Sequence, residues 1–214
     1  MATQLEIYNL ALLQMKQSTL ADLTEEIEAR YVLDTLYDFV LKEMVEKGYW
    51  VFAMRTVEIT QDEAIIPAFG YSQAFNMPED WVKTWGVSLS ERMEPLHEDW
   101  IEESGLLFAD AGPLYLRYVS NHVSGYGYDG DRWTGRFIRA FAFELAYRAA
   151  PKVAGSSDAF NKKLEGDAIR AVNEALQFEA HREPVRNLPQ GRWNAGRFRG
   201  GSGGRWLGGP YRSR

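Results

Sequence analysis

The stretch TEEIEARYVLDTLYDFVLKEMVEKG, residues 24–48, decides how the chain is read. Ile27, Tyr31, Val32, Leu36, Phe39, Val40 and Met44 recur at the three- and four-residue spacing that lines up apolar side chains on one helical face. Thr24 supplies an N-cap hydroxyl, and Glu25, Glu26 and Glu28 place negative charge where the helix dipole is positive. Gly48 stops the run. The spacing predicts a helix over 24–47, about six turns long.

Toward the N-terminus, Thr3 caps a first predicted helix over about 4–16, with Leu5, Tyr8, Leu12 and Met15 on its buried face. Ser18 to Leu23 is a break. The start has no positive charge and no long apolar run, so it reads as an amphipathic helix and not a signal peptide. No stretch approaches the ~20 apolar residues of a membrane span.

Beyond Gly48 the pattern changes to aromatic and β-branched residues, predicting strands at Trp50–Ile59 (its start alternatively helical), Trp81–Leu89, around Ile101, at Leu106–Phe108 and at Leu114–Val119. The segments with Ile65-Ile66-Pro67 and Phe69-Gly70-Tyr71 read as irregular, and Met77-Pro78-Glu79-Asp80 reads as a turn. Helical spacing returns at Trp133, Phe137, Phe141, Leu145 and Arg148, predicting a helix over 131–149 ended by Pro151. A fourth helix is predicted over 157–181, with Phe160, Leu164, Ile169, Val172, Leu176 and Phe178 as core candidates. The expected fold is α+β, mainly α: a helical bundle with a small inserted antiparallel β module (about 50–120) and an extended C-terminal arm.

Charge divides the 214 residues unevenly. Residues 184–214 hold seven of the 24 basic residues, all arginine, and no acid. Residues 1–183 therefore keep 17 basic against 30 acidic side chains, a net −13. Eight glycines and few aliphatic residues mark 184–214 as an arm that is expected to be disordered alone. Within it, arginine stands beside an aromatic between glycines three times: Arg192-Trp193, Arg197-Phe198-Arg199 and Arg205-Trp206. Glycine gives reach, arginine gives forked hydrogen bonds to carboxylate or phosphate, and the aromatic gives an anchor. An acidic protein surface or a single-stranded nucleic acid would satisfy this chemistry.

Catalytic chemistry finds little support. With no cysteine, thiolate metal sites and disulfides are excluded. Gly125 to Gly130 satisfies G-x-G-x-x-G but lacks the alternating strands and helices of a dinucleotide fold, and Asp129 would oppose a pyrophosphate. It reads as a loop. His97, His122 and His181 are far apart, and His97-Glu98-Asp99 reads as a solvated turn. Glu25/Glu26 and Glu102/Glu103 are adjacent pairs that point apart on regular structure, so no catalytic residue, metal or cofactor is assigned.

A series of short segments resembles the head-to-tail adaptor proteins of short-tailed bacteriophages, the tail tubular protein A family. In order they are Glu6–Leu12 (EIYNLAL), Ala29–Asp34 (ARYVLD), Trp50–Arg55 (WVFAMR), Pro67–Tyr71 (PAFGY), Met77–Val82 (MPEDWV), Leu114–Ser120 (LYLRYVS) and Ala146–Pro151 (AYRAAP). They span nearly all of residues 1–183, and the Gly/Arg/Trp arm is also similar. The resemblance implies a structural protein without an active site. It would assemble as a ring of twelve copies between the portal and the tail nozzle or tube, with double-stranded DNA passing through the lumen. It implies a virion location after assembly in the host cytoplasm, without a membrane partner. The arm, through Arg192, Trp193, Arg197, Phe198, Arg199, Arg205, Trp206 and Tyr211, would contact the portal. Trp81, Trp85 and Trp100 are candidate tail-side contacts, or ordinary packing of the β module. The alternative function is a nucleic-acid-binding protein acting through the arm.

Overall fold

The computed structural model describes residues 3–68, 70–155 and 157–182. The chain divides after Arg182, and the description concerns Met1–Arg182. All eight arm residues named above lie outside the described residues.

Helix α1 runs Gln4–Gln14. Thr3 and Glu6 form a reciprocal capping box, with the Glu6 amide donating to Thr3 Oγ1 at 3.3 Å and the Thr3 amide to Glu6 Oε2 at 2.9 Å. Helix α2 runs Glu28–Lys47, starting four residues after the predicted Thr24. The delay has a local cause. Asp22 Oδ1 takes the Thr24 amide at 2.6 Å, and Glu25 takes the amide of Ala21, so these side chains hold a turn that competes with helix. Helix α3 is Gly135–Val153, capped by Thr134, and α4 is Asp158–Arg182. Pro151 does not end α3 but lies in its last turn, where only one helical bond is lost and the Ala154 amide still reaches Ala150 O at 2.9 Å.

The strands are β1 Met54–Ile59, β2 Gln73–Asn76, β3 Trp81–Ser88, β4 Leu96–His97, β5 Trp100–Glu103, β6 Leu106–Ala109 and β7 Leu114–Ser120. They form two antiparallel sheets, β1-β7-β3-β4 and β2-β6-β5. Arg55 stands opposite Tyr118, and Val57 opposite Leu116. The first residues after Gly48 are not strand: Val51–Ala53 is a single 3-10 turn.

The expected helical bundle with a small inserted module is therefore corrected. The chain is α+β, about 46% helix and 20% strand, with four helices and two antiparallel sheets. The physical reason is a second core. One cluster joins the helices through Tyr8, Leu12, Leu33, Met44, Trp50, Phe137 and Phe141, and reaches the four-stranded sheet at Val119. The other lies between the sheets and gathers Ile59, Phe75, Val87, Leu107, Leu116 and Tyr118. The strands thus bury apolar surface against each other on one side, while the helices cover the other side of the four-stranded sheet at Val119.

Two helical faces also turn out differently from the spacing. In α2 the buried side chains are Leu33, Val40, Leu41, Met44 and Val45, while Tyr31 and Phe39 are exposed, as is Ile27 just before the helix. In α4, Ile169 is exposed and the buried stripe is Leu164, Ala168, Ala171, Val172 and Ala175. Small alanines let α4 approach α3 closely, so its large apolar residues are not all needed inside.

Candidate functional site

Trp81, Trp85 and Trp100 are each half-buried and each has a place within the β half. Trp81 and Trp100 pack against the intersheet core. The Trp81 indole donates to Thr84 Oγ1 at 3.1 Å, and the Trp100 indole to His97 O at 3.0 Å. Trp85 lies under the Arg117 guanidinium, 4.5 Å from its ring centroid. Each ring therefore has an internal packing role.

A densely bonded carboxylate is one that sequence reasoning left in a turn. Asp80 accepts from Arg55 Nη1 at 2.7 Å, from the Tyr118 hydroxyl at 2.9 Å and from Ser120 Oγ, while its own carbonyl takes the Asn121 amide at 2.9 Å. Burial pushes its carboxyl up, but the hydrogen bonds from Ser120, Arg55 and Tyr118 outweigh that and hold it below the ordinary carboxylate value. The same contact, with burial first, pushes the Tyr118 hydroxyl well up. Asp80 thus pins the entry of β3 to β1 and β7. A cleft of about 680 Å³ opens beside it, bordered by Glu58, Asn76, Glu79 and His122. All of the carboxylate's partners are structural, so the node positions strands and presents no free nucleophile.

The Gly125–Gly130 loop is explained by the fold. Asp129 accepts from the Gly125 amide at 2.6 Å and the Asp131 amide at 3.1 Å, which uses amides that a phosphate loop would offer its ligand. At Gly127 an added Cβ would come within 2.1 Å of Ser120 O, and its carbonyl takes the buried Trp133 indole at 2.9 Å. Gly127→Ala is expected to cost about 2–3 kcal/mol by forcing backbone apart. Gly135→Ala, where a Cβ meets nothing within 4 Å, is expected to stay within about 0.5 kcal/mol of the parent. Urea unfolding of both variants checks the contrast.

His97 lies in β4, His122 follows β7, and His181 lies in the last turn of α4. Among the described residues no group of three or more histidines and carboxylates is placed to hold a metal ion. No described helix is long and apolar enough to cross a membrane. The helical half has polar ties of its own. Arg148 reaches both Glu43 and Glu144, the latter at 3.0 Å, and Lys47 meets Glu144 at 3.3 Å, joining α2 to α3. Buried Glu179 accepts the Val51 amide at 3.0 Å and so ties α4 to the turn before β1.

Charge is uneven along the helical segments, these ties included. Residues 22–47 carry eight acidic and three basic side chains, whereas residues 130–182 carry seven acidic and nine basic. The exposure of Tyr31 and Phe39, with Arg30 lying over the first ring and Arg148 over the second, was hidden in the sequence by the assumption that every apolar residue of a helical stripe faces the core. Compared with known proteins, the chain matches no family model and no curated protein.

Proposed function

We propose that this protein is a structural head-to-tail adaptor subunit of a short-tailed bacteriophage. It forms a ring, of twelve copies on the family pattern, between the portal and the tail nozzle or tube, within the virion, and the genome passes through its lumen. The observation that carries the reading is how the segments of the resemblance interlock. Tyr8 of EIYNLAL donates to Asp34 of ARYVLD at 2.7 Å. Arg55 of WVFAMR and Tyr118 and Ser120 of LYLRYVS all converge on Asp80 of MPEDWV. The segments that carry the resemblance, though far apart in sequence, hold one another in the fold, which supports the reading more than seven unconnected fragments would.

The charge distribution is compatible with the role. An acidic lumen repels phosphates, so DNA slides without adhering. The arginine- and aromatic-bearing residues 184–214 suit an acidic surface on the portal. Nothing in this role requires catalysis by the chain.

The test is co-sedimentation of the cognate portal with the full chain and with residues 1–183. The expected result is that truncation leaves the far-UV circular dichroism and melting of the body unchanged, and weakens portal binding at least tenfold. Equal binding by both forms would remove the arm's role, and no binding by either would contradict the adaptor reading. Salt-sensitive binding of single-stranded nucleic acid, lost with residues 184–214, would favour the alternative function instead.

A further inference from the structure

Strand alternation gives the three-stranded sheet two faces. Trp100 and Leu107 turn toward the intersheet core, so Ile101 and Phe108, paired across β5 and β6, lie on the other side. The chain between β1 and β2 runs along that side, and a groove of about 380 Å³ is left between it and the strands. Ile65, Pro67 and Tyr71 of this loop line it, together with Ile101, Glu103 and Phe108. Ile66 at its rim is 86% exposed and Ile101 48%, so apolar surface is presented to water.

The surroundings are acidic throughout. Residues 60–79 and 98–113, which hold this sheet and its loops, carry eight acidic side chains and no Lys or Arg. That is eight of the 13 net negative charges of residues 1–183. Asp99 accepts the Tyr71 hydroxyl at 3.1 Å, and Asp110 accepts the Ser72 amide at 2.7 Å, so both carboxylates stand at the groove on neutral donors. Among the described residues, neither they nor Glu103 meets a Lys or Arg. The larger groove at α2 differs, because Arg148 and Lys152 border it.

An apolar groove edged by carboxylates without cationic partners fits a segment in which aromatic side chains stand beside arginine. Residues 184–214 have that composition, with seven arginines, three Arg-aromatic units and no acid. Extended, these 31 residues reach about 100 Å, against the ~40 Å width of a domain of this size. We propose that the groove takes one Arg-aromatic unit of residues 184–214 from a neighbouring copy. The aromatic ring rests on Ile101 and Phe108, and the arginines meet Asp99, Glu103 and Asp110. This rests on the ring reading above, which sets copies side by side, and it leaves two units of each arm for the portal. Passed from each copy to the next, the contact is head-to-tail and closes with the ring.

The test uses the full-length chain, alone and on the portal, at concentrations where sedimentation velocity shows it associated. An unlabelled copy carries the photo-crosslinker p-benzoylphenylalanine in place of Trp193, Phe198 or Trp206, and is mixed with a nitrogen-15 copy that lacks it. Mass spectrometry then separates crosslinks between copies from those within one. At least one of the three probes is expected to label residues 65–71 or 98–110 of the nitrogen-15 copy. Glu98→Lys with Glu103→Lys in that copy is expected to cut the yield at least about fivefold. Glu26→Lys with Glu165→Lys, an equal change of charge in the helical half, is expected to leave it within about twofold. All four side chains are exposed, and circular dichroism checks that each variant folds. Labelling that misses the groove, stays within one copy, or falls equally with both charge pairs would overturn the proposed contact while the ring reading stands. If the parent never associates with itself, alone or on the portal, the proposed contact and the ring reading both fail.

Discussion

Replacing Trp50 by alanine is expected to lower stability by about 3–5 kcal/mol, the largest effect of any single truncation in the helical half. Trp50 is fully buried just after α2, where its indole donates to Met44 O at 2.7 Å. That bond satisfies a carbonyl near the end of α2 that has few helical partners. The ring meets Phe137 of α3 edge-on at 4.8 Å and stacks on Phe52 at 6.0 Å. Gly48 is tight against the same ring, since a Cβ there would come within 2.9 Å of it and 2.4 Å of Leu176. Alanine therefore removes a large apolar volume, strands a buried carbonyl and leaves a cavity between three elements. Against a total stability of about 5–15 kcal/mol, this is a large fraction. Thermal and urea unfolding measure it. A loss below about 1 kcal/mol would mean that the site collapses around the smaller residue and that Trp50 does not organise the junction.

Asp80→Ala is expected to cost about 2–3 kcal/mol, because Arg55, Tyr118 and Ser120 lose a shared acceptor at once. The Asp80 side chain is 12% exposed and that of Arg55 34%, so water partly rescues the arginine and keeps the cost at the low end for a broken buried pair. The effect carries a pH signature. Asp80 is held below its ordinary carboxylate value, so its folded-state pKa is depressed. Its contribution is complete above the unfolded value, near pH 4, and is lost as pH falls through the lower folded value. The parent should therefore lose stability below about pH 4 more steeply than Asp80→Ala, and the two should converge in acid. Chemical unfolding at pH 7, 4 and 2.5 reads both the gap and its closure. A gap that stays constant to pH 2.5 would show that the residue acts through packing alone.

How much of this was legible follows the range of the interactions. The Thr3/Glu6 capping box and the long helix ending at Gly48 are local, and side-chain spacing announces them. The start of α2 was displaced because Asp22 and Glu25 bind amides two to four residues away, which periodicity does not weigh. Strands β2 and β4 escaped notice because Gln73–Asn76 has only two apolar residues and Leu96–His97 is two residues long. The intersheet core was missed for a different reason. Phe75, Leu107 and Tyr118 come from three separated strands, and only the pairing of those strands brings them together. Asp80 looked like part of a turn for the same cause, as Arg55 and Tyr118 are its partners from 25 and 38 residues away. Exposed Tyr31 and Phe39 were assigned to the core because a stripe of apolar residues carries no sign of whether it faces its own chain or another.

The adaptor reading draws on the ordered series of segments whose side chains hold one another, together with the separation of charge between residues 1–183 and 184–214. Residues 184–214 contribute their composition: seven arginines, three Arg-aromatic units and no acid. The measurement that tests the central claim most directly is electron microscopy of the cognate portal mixed with the full-length chain. The adaptor account predicts a closed ring seated on the portal, with an open axial channel. Portal particles that remain bare at saturating concentration, with the chain left free in solution, would contradict it.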